Sequence, residues 1–292
     1  MNMSMLNVKI QNKKPLGKMI NINRKTLGFG NNIGFVNQVI SLFTFVLWAI
    51  KNNISFINLD SINWTLSWKD RSYINHNMLF DVNFWNLNAK RYNFPRLVRN
   101  NNSYEMVTVP QIPHVHFWDH SNFLNADNSY SINFSYLLKP VKSLLNIINE
   151  IKPKSYGTIH FRLEDDLKVI QSFYDRRLNI KKTYDKIKDN VKSAPEYVYA
   201  CVAKQDVTDE FCLEIFNNKI SPWENVSLVF GGSEACKKYN INKKYHHIFG
   251  AIIDYYIAID STHFFYGPVG LSTFSRSITA IRNRTNKLNI DY

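Results

Sequence analysis

Tyr156-Gly157-Thr158-Ile159-His160-Phe161-Arg162-Leu163-Glu164-Asp165-Asp166-Leu167 joins the alternation of a buried strand to an abrupt burst of charge. Tyr156 to Leu163 alternates well enough to form a strand, and the three acids then open a long polar stretch of helical pattern. That reading puts His160 and Arg162 near the carboxyl end of a strand. In open α/β sheets ligands bind outside the carboxyl ends of strands, and a guanidinium delivered there suits an anionic ligand such as a phosphate. An ion pair between Arg162 and the acids that follow is the plain structural use of the same residues.

Working outward, residues 267–282 (Gly-Pro-Val-Gly-Leu-Ser-Thr-Phe-Ser-Arg-Ser-Ile-Thr-Ala-Ile-Arg) follow the apolar run His263 to Tyr266. They lead into a helical pattern with Phe274, Ile278 and Ile281 on one face. Strand, glycine turn, hydroxyl cluster and helix in that order are the layout of an anion site: Ser272, Thr273 and Ser275 can cap the helix and donate to phosphate oxygens, and the helix dipole favours negative charge. The same hydroxyls also serve as an ordinary helix cap. A third segment, Leu27 to Phe35, carries Gly28, Gly30 and Gly34 between an apolar stretch (Leu16 to Leu27) and a long apolar helix, Val36 to Ile50, which feeds a strand at Ser55 to Leu59. This is a βαβ arrangement with a glycine-rich first turn, spaced differently from the G-x-G-x-x-G dinucleotide fingerprint.

The chain reads as two α/β halves, 1–151 and 152–292. The first contains an irregular insert, Asp60 to Asn128, expected as loops and short helices over a cleft. The second alternates cleanly: strand 156–163, helix 167–192, strand Tyr197 to Ala203, helix Val207 to Asn217, strand Val226 to Phe230, helix Gly250 to Ile259, strand 262–267, helix 273–284. Regular alternation argues for a parallel sheet. The 292 residues, 45% hydrophobic and 14% aromatic, suffice for two such cores.

A formal charge of +13 attracts nucleotide diphosphates, nucleic acid or anionic membrane surfaces alike. The basic residues are spread over separate patches, and no zinc-finger, homeodomain or RNP pattern accompanies them, so nucleic acid is not the expected partner. Cys201, Cys212 and Cys236 are odd in number and form no Cys-x-x-Cys, which points to a reducing compartment. Val36 to Ile50 is too short for a membrane span and no signal pattern opens the chain, so the expected location is the cytoplasm. His114, His116 and His120 alternate as metal ligands could, yet no cysteine or acid cluster joins them, and no metal is expected. Gly231-Gly232-Ser233-Glu234-Ala235 lacks the final glycine of a nucleophile elbow.

Taken together, the three segments resemble the protein O-fucosyltransferase and α-1,6-fucosyltransferase superfamily. Gly28-Phe29-Gly30-Asn31-Asn32 is similar to its first-loop motif, His160-Phe161-Arg162-Leu163-Glu164-Asp165-Asp166 to its central His-x-Arg motif, and Ser272-Thr273-Phe274-Ser275 with Arg282 to its carboxyl-terminal Ser-Ser-Phe-Ser/Thr motif. Asp254 falls where the α-1,6 enzymes carry an aspartate that reads guanine. The resemblance implies a GT-B-like fold, two Rossmann-like domains facing across a cleft, with 1–151 on the acceptor side and 152–292 binding the nucleotide sugar. It implies an inverting, metal-independent transfer, most simply of fucose from GDP-fucose to a hydroxyl of a glycan or protein. No other cofactor is implied, and the oligomeric state is left open. Arg162 would bind the diphosphate, His160 and Asp254 the guanosine, and Ser272 to Ser275 the phosphates, with Phe274 near base or ribose. Asn31 and the backbone of Phe29 and Gly30 would face the sugar. Arg276 and Arg282 are further candidates for neutralising phosphate charge. Glu164, Asp165 and Asp166 are candidates by position for a catalytic base, with Glu164 or Asp165 favoured as a helix cap and an orienter of Arg162. Gly28 stands where several members place an arginine, and the first loop holds no acid. A rhamnosyl or other deoxysugar transferase on the same scaffold, and a silent nucleotide- or glycan-binding module, stand as the other readings.

Overall fold

The computed structural model describes residues 16–22, 34–66, 72–101, 103–107, 128–160, 195–202, 213–214, 217–218, 226–266 and 272–291. In the first half, β1 (Lys18–Ile20) is followed by α1 (Phe35–Lys51), β2 (Phe56–Asn58), β3 (Asn63–Thr65), β4 (Tyr73–Asn75), α2 (Val82–Ala89), β5 (Arg96–Val98), β6 (Glu105–Val107), α3 (Asn128–Leu137) and α4 (Lys142–Ile151). In the second come β7 (Gly157–His160), β8 (Tyr197–Cys201), β9 (Ser227–Phe230), α5 (Gly232–Lys238), α6 (His246–Asp260), β10 (His263–Tyr266), α7 (Thr273–Arg284) and β11 (Leu288–Asp291).

Each half builds one parallel sheet. The first has the order β5-β2-β1-β6 and the second β11-β10-β7-β8-β9, and every pairing within both is parallel. In the second sheet the chain steps outward from β7 through β8 to β9, then returns to the opposite side of β7 for β10 and β11. Such a reversal opens a crevice at the carboxyl ends of the two strands that flank it, here β7 and β10, where neighbouring helices diverge to opposite faces. The first sheet reverses in the same way between β1 and β6. Both halves are therefore parallel α/β units of Rossmann-like strand order, although β5 and β6 of the first are joined by the short segment 99–104 without an intervening helix.

α1 shows how burial overrides local preference. Val36, Val39, Ile40 and Val46 are β-branched and each costs a helix only some tenths of a kcal/mol, roughly, whereas burying such a side chain gains about 1.5–3 kcal/mol. Phe43 and Val46 are fully enclosed, and eleven of the seventeen helix residues are buried. One hydrophobic cluster runs from Ile20 and α1 through α3 and α4 to Ile252, Tyr255 and Ile281. The core is thus continuous between the two sheets: the Phe35 ring meets Tyr255 of α6 edge-on at 5.7 Å, and the Tyr256 hydroxyl donates to the Leu138 carbonyl.

Several expectations are corrected. Residues 60–128 are no mere insert, because β5 and β6 pair with β2 and β1 inside the first sheet; at three residues each, these strands are too short to show an alternation. The helix expected from Gly250 begins a turn earlier, at His246. Gly250 lies in its interior because the backbone of Gly232 presses against it, so close that a Cβ on Gly232 would stand 2.1 Å from the Gly250 carbonyl oxygen. The segment Gly231 to Ala235, which lacks the final glycine of a nucleophile elbow, opens α5, and β11 adds a strand beyond the alternating series that ends at 284. Helix 273–284 forms over those residues. The proposed helix 167–192 and most of Val207 to Asn217 lie outside the described residues.

Candidate functional site

His160 is the last residue of β7, in register with Tyr266 at the end of β10 and Cys201 at the end of β8. It therefore stands at the mouth of the crevice. Its side chain is 5% exposed, its Nδ1 lies 2.7 Å from the Ser275 hydroxyl, and its ring meets Phe274 at 4.8 Å. The central motif and the carboxyl-terminal hydroxyl motif, 115 residues apart, are one cluster in space.

The amino end of α7 opens into this cluster, and the four residues Ser272 to Ser275 divide into two pairs, one turned inward and one left partly exposed. Ser272 is the N-cap and accepts from the Ser275 N–H; its own burial and that of Ser275 turn both inward. Thr273 and Phe274 stay partly exposed. The first turn holds no acidic side chain of its own to offset the positive end of the helix dipole. The N–H groups of Thr273 and Phe274 belong to the set that a helix start leaves without intrahelical acceptors. The arrangement suits an anion held by backbone donors beside an aromatic ring.

Behind Phe274, Tyr255 closes the back of the site. It meets Phe274 edge-on at 6.1 Å, and its hydroxyl lies 3.1 Å from that of Ser277. Burial pushes its phenol up to about 12, so it remains neutral and cannot act as a base near neutral pH. The link from Phe35, directly after Gly34, through Tyr255 to Phe274 and His160 joins the amino end of α1 to that of α7. Sequence reasoning missed Tyr255 and Phe35, since in an aromatic-rich chain neither stands out.

Two expected anion- or base-binding residues are differently engaged. Arg282 is completely buried. Its guanidinium donates to the carbonyls of Ala258 at 3.0 Å, Ser261 at 2.7 Å and Leu288 at 2.6 Å, and to Oδ1 of Asn289 at 2.8 Å. It caps the end of α6 and ties β11 to it, so its assignment to phosphate is corrected; only Arg276, partly exposed on α7, keeps that candidacy. Asp254 is 7% exposed, and its Oδ1 accepts from the Tyr199 hydroxyl at 2.7 Å and from the Gly232 N–H at 2.6 Å. Burial and the adjacent Asp254 carboxylate hold the Tyr199 phenol protonated, far above the usual tyrosine range. Phe29, Gly30, Asn31, Arg162, Glu164, Asp165 and Asp166, together with the three histidines His114, His116 and His120, lie outside the described residues.

No family model matches the chain, and no curated protein matches it. Solved structures do. A fucosyltransferase NodZ from Bradyrhizobium is similar at a TM-score of 0.48 and 10% identity, covering 91% of this chain and 92% of that one. A NodZ α-1,6-fucosyltransferase soaked with GDP-fucose gives a TM-score of 0.46 at 13% identity over 92% and 93% of the two chains. A third, co-crystallised with GDP, gives 0.44 at 10% identity over 91% and 92%. At these identities and TM-scores the likeness decides neither substrate nor mechanism, and the fold class rests on the two sheet orders themselves. Among the described residues, no helix is long and apolar enough to cross a membrane.

Proposed function

We propose that this chain is an inverting, metal-independent glycosyltransferase of GT-B-like architecture, moving fucose from GDP-fucose to a hydroxyl of a glycan or protein acceptor. The observation that carries the reading is the meeting of His160 with Phe274 and Ser275 at the crevice between β7 and β10, where the amino end of α7, with no acid in its first turn, also opens. In this reading 1–151 is the acceptor-side domain and 152–292 holds the nucleotide sugar. The N–H groups of Thr273 and Phe274 receive the diphosphate together with Arg162. The Phe274 ring and His160 flank ribose or base. Asn31 and the backbone of Phe29 and Gly30 face the sugar, and Glu164 orients Arg162. The acceptor hydroxyl attacks the anomeric carbon, its bond to the diphosphate oxygen breaks, configuration inverts, and the hydroxyl proton passes to a base or to water. Fixed positive groups stabilise the departing diphosphate, which is the step where charge develops most. The buried thiols Cys201 and Cys236 suit a reducing location, the cytoplasm in this reading.

Thermal shift with GDP, UDP and dTDP, followed by hydrolysis of the matching nucleotide sugar with and without excess EDTA, tests this directly. The expected outcome is stabilisation by GDP above the other two and slow hydrolysis that survives the chelator. Tighter binding of UDP or dTDP retires the fucose donor in favour of another deoxysugar. Activity that vanishes with EDTA and returns with Mn²⁺ overturns the metal-independent site, and binding without any hydrolysis or transfer marks a silent module.

A further inference from the structure

Asp254 occupies a position from which the resemblance expects contact with a nucleotide base, yet its Oδ1 accepts two hydrogen bonds from within the protein. Gly231 directly follows β9 and is the N-cap position of α5, with no side chain to cap the helix. The first helical N–H of α5, that of Gly232, donates instead to Oδ1 of Asp254, which comes from α6. The carboxylate does from a neighbouring helix what an N-cap aspartate does from its own chain position. Two features of the sequence make that reach feasible. Gly250 stands four residues before Asp254 and so on the same face of α6, and it meets Gly232 in a glycine-on-glycine crossing where Gly232 has no room for a Cβ and a Cβ on Gly250 would lie 3.1 Å from the Ser233 nitrogen. At Gly231 a Cβ would stand 2.6 Å from Oδ1 of Asp254 and 2.7 Å from the carbonyl oxygen of Ala200, so the turn, the end of β8 and the carboxylate are in direct contact. Tyr199 adds a second donor to the same oxygen, and the Cys201 thiol approaches the Asp254 carbonyl at 3.7 Å.

We propose that Asp254 is a positioning residue, whose Oδ1 latches the glycine turn after β9 to the end of β8 and so sets the edge of the crevice beside His160, rather than a reader of the base. Cys201, the register partner of His160, links the latch to the site: β8 is held between His160 on one side and the latched turn on the other. The nucleotide site that it would shape is the one proposed above, while the latch itself is a property of the protein without ligand.

The test compares Asp254→Asn, Asp254→Ala and Tyr199→Phe, first by thermal melting without nucleotide and then by calorimetric titration of GDP and UDP. Asparagine keeps an acceptor at the Oδ1 position, so Asp254→Asn is expected to melt within a few degrees of the native protein and to keep the native ratio of GDP to UDP affinity. Asp254→Ala orphans two buried donors and is expected to melt lower by about 5 °C or more, or not to fold. Adding Tyr199→Phe to Asp254→Ala should then lower the melting temperature no further. The proposal is overturned if Asp254→Asn unfolds, if Asp254→Ala melts with the native protein, or if Asp254→Asn folds normally but loses a preference for GDP that the native protein shows. Should no nucleotide bind even the native protein, the function proposed above fails, and the melting series alone still decides the latch.

Discussion

Arg282 and His76 show at the residue scale how burial dictates what a polar side chain can do. Arg282 sits under the end of α6 with its donors spent on carbonyls, and burial pulls its guanidinium down to about 10, still charged at neutral pH. Replacing it with alanine strands those carbonyls, and the loss of stability is expected to be about 3 kcal/mol or more. Arg282→Lys should recover only part of this, because a point charge cannot span the fork that the guanidinium fills. Denaturant melts of the two variants check both statements, and a native-like Arg282→Ala would return the residue to the ligand candidates. His76 is the opposite case. Trp64 donates from Nε1 to its Nδ1 at 3.1 Å, which places the proton on Nε2, and that nitrogen is buried without a hydrogen-bond partner among Trp64, Phe80 and Trp85. Burial lowers it from 6.5 to about 3. Between those values the unfolded chain binds a proton that the folded chain refuses. The stability contributed by neutral His76 is therefore full above about pH 6.5 and declines as pH falls towards 3, by up to about 1.4 kcal/mol per unit. The slope of stability between pH 7 and 5 should be shallower in His76→Phe than in the native protein; equal slopes would refute the assignment.

At the scale of elements, asparagine closes several of the described helices. Among the described residues the only non-glycine positions at positive φ are Asn53, Asn93, Asn240 and Asn286. They follow α1, the short 3₁₀ turn at Lys90–Tyr92, α5 and α7. Asparagine tolerates the left-handed region better than other side chains, so it can close a helix where glycine usually does. Some glycines among the described residues stand instead where a side chain would not fit. Gly232 is one of these. Its missing Cβ allows α5 to lie on α6, and the carbonyl it faces belongs to helix backbone that cannot turn aside. Gly232→Ala should force α5 away from α6, break the hydrogen bond to Asp254 and cost several kcal/mol, on the order of 3 or more. Circular dichroism melts will show this as a large fall in melting temperature, and an unchanged melt would mean that the crossing is not tight.

For the whole molecule, the decisive fact is that the core does not stop between the sheets. α3 and α4 belong to the first half by sequence, yet Arg284 of α7 donates to the Ser131 hydroxyl and Tyr256 of α6 to the Leu138 carbonyl. Phe35 and Tyr255 continue the apolar contact up to the crevice. Halves joined by so much buried apolar surface should melt together, because separating them exposes core on both sides. Calorimetry is expected to show one cooperative transition, and two resolved transitions would show that the halves are independent folding units.

Alternation in 156–163 and in the strands after it, together with the hydroxyl cluster opening a helix at Thr273, was enough to read a parallel α/β half from local pattern, since strand and helix periods are imposed residue by residue. His160 and Ser272 to Ser275 were legible for the same reason: each sits where a strand or helix terminus leaves unsatisfied polar groups, and terminus signals are local. The three-residue strands β5 and β6 were illegible, because a strand that short carries no period and is defined only by its neighbours. The roles of Arg282 and Asp254 lay equally beyond the sequence. A buried charge is recognised by its partners, and those partners, the carbonyls at the end of α6 and the N–H of Gly232, are brought to it only when the chain has folded.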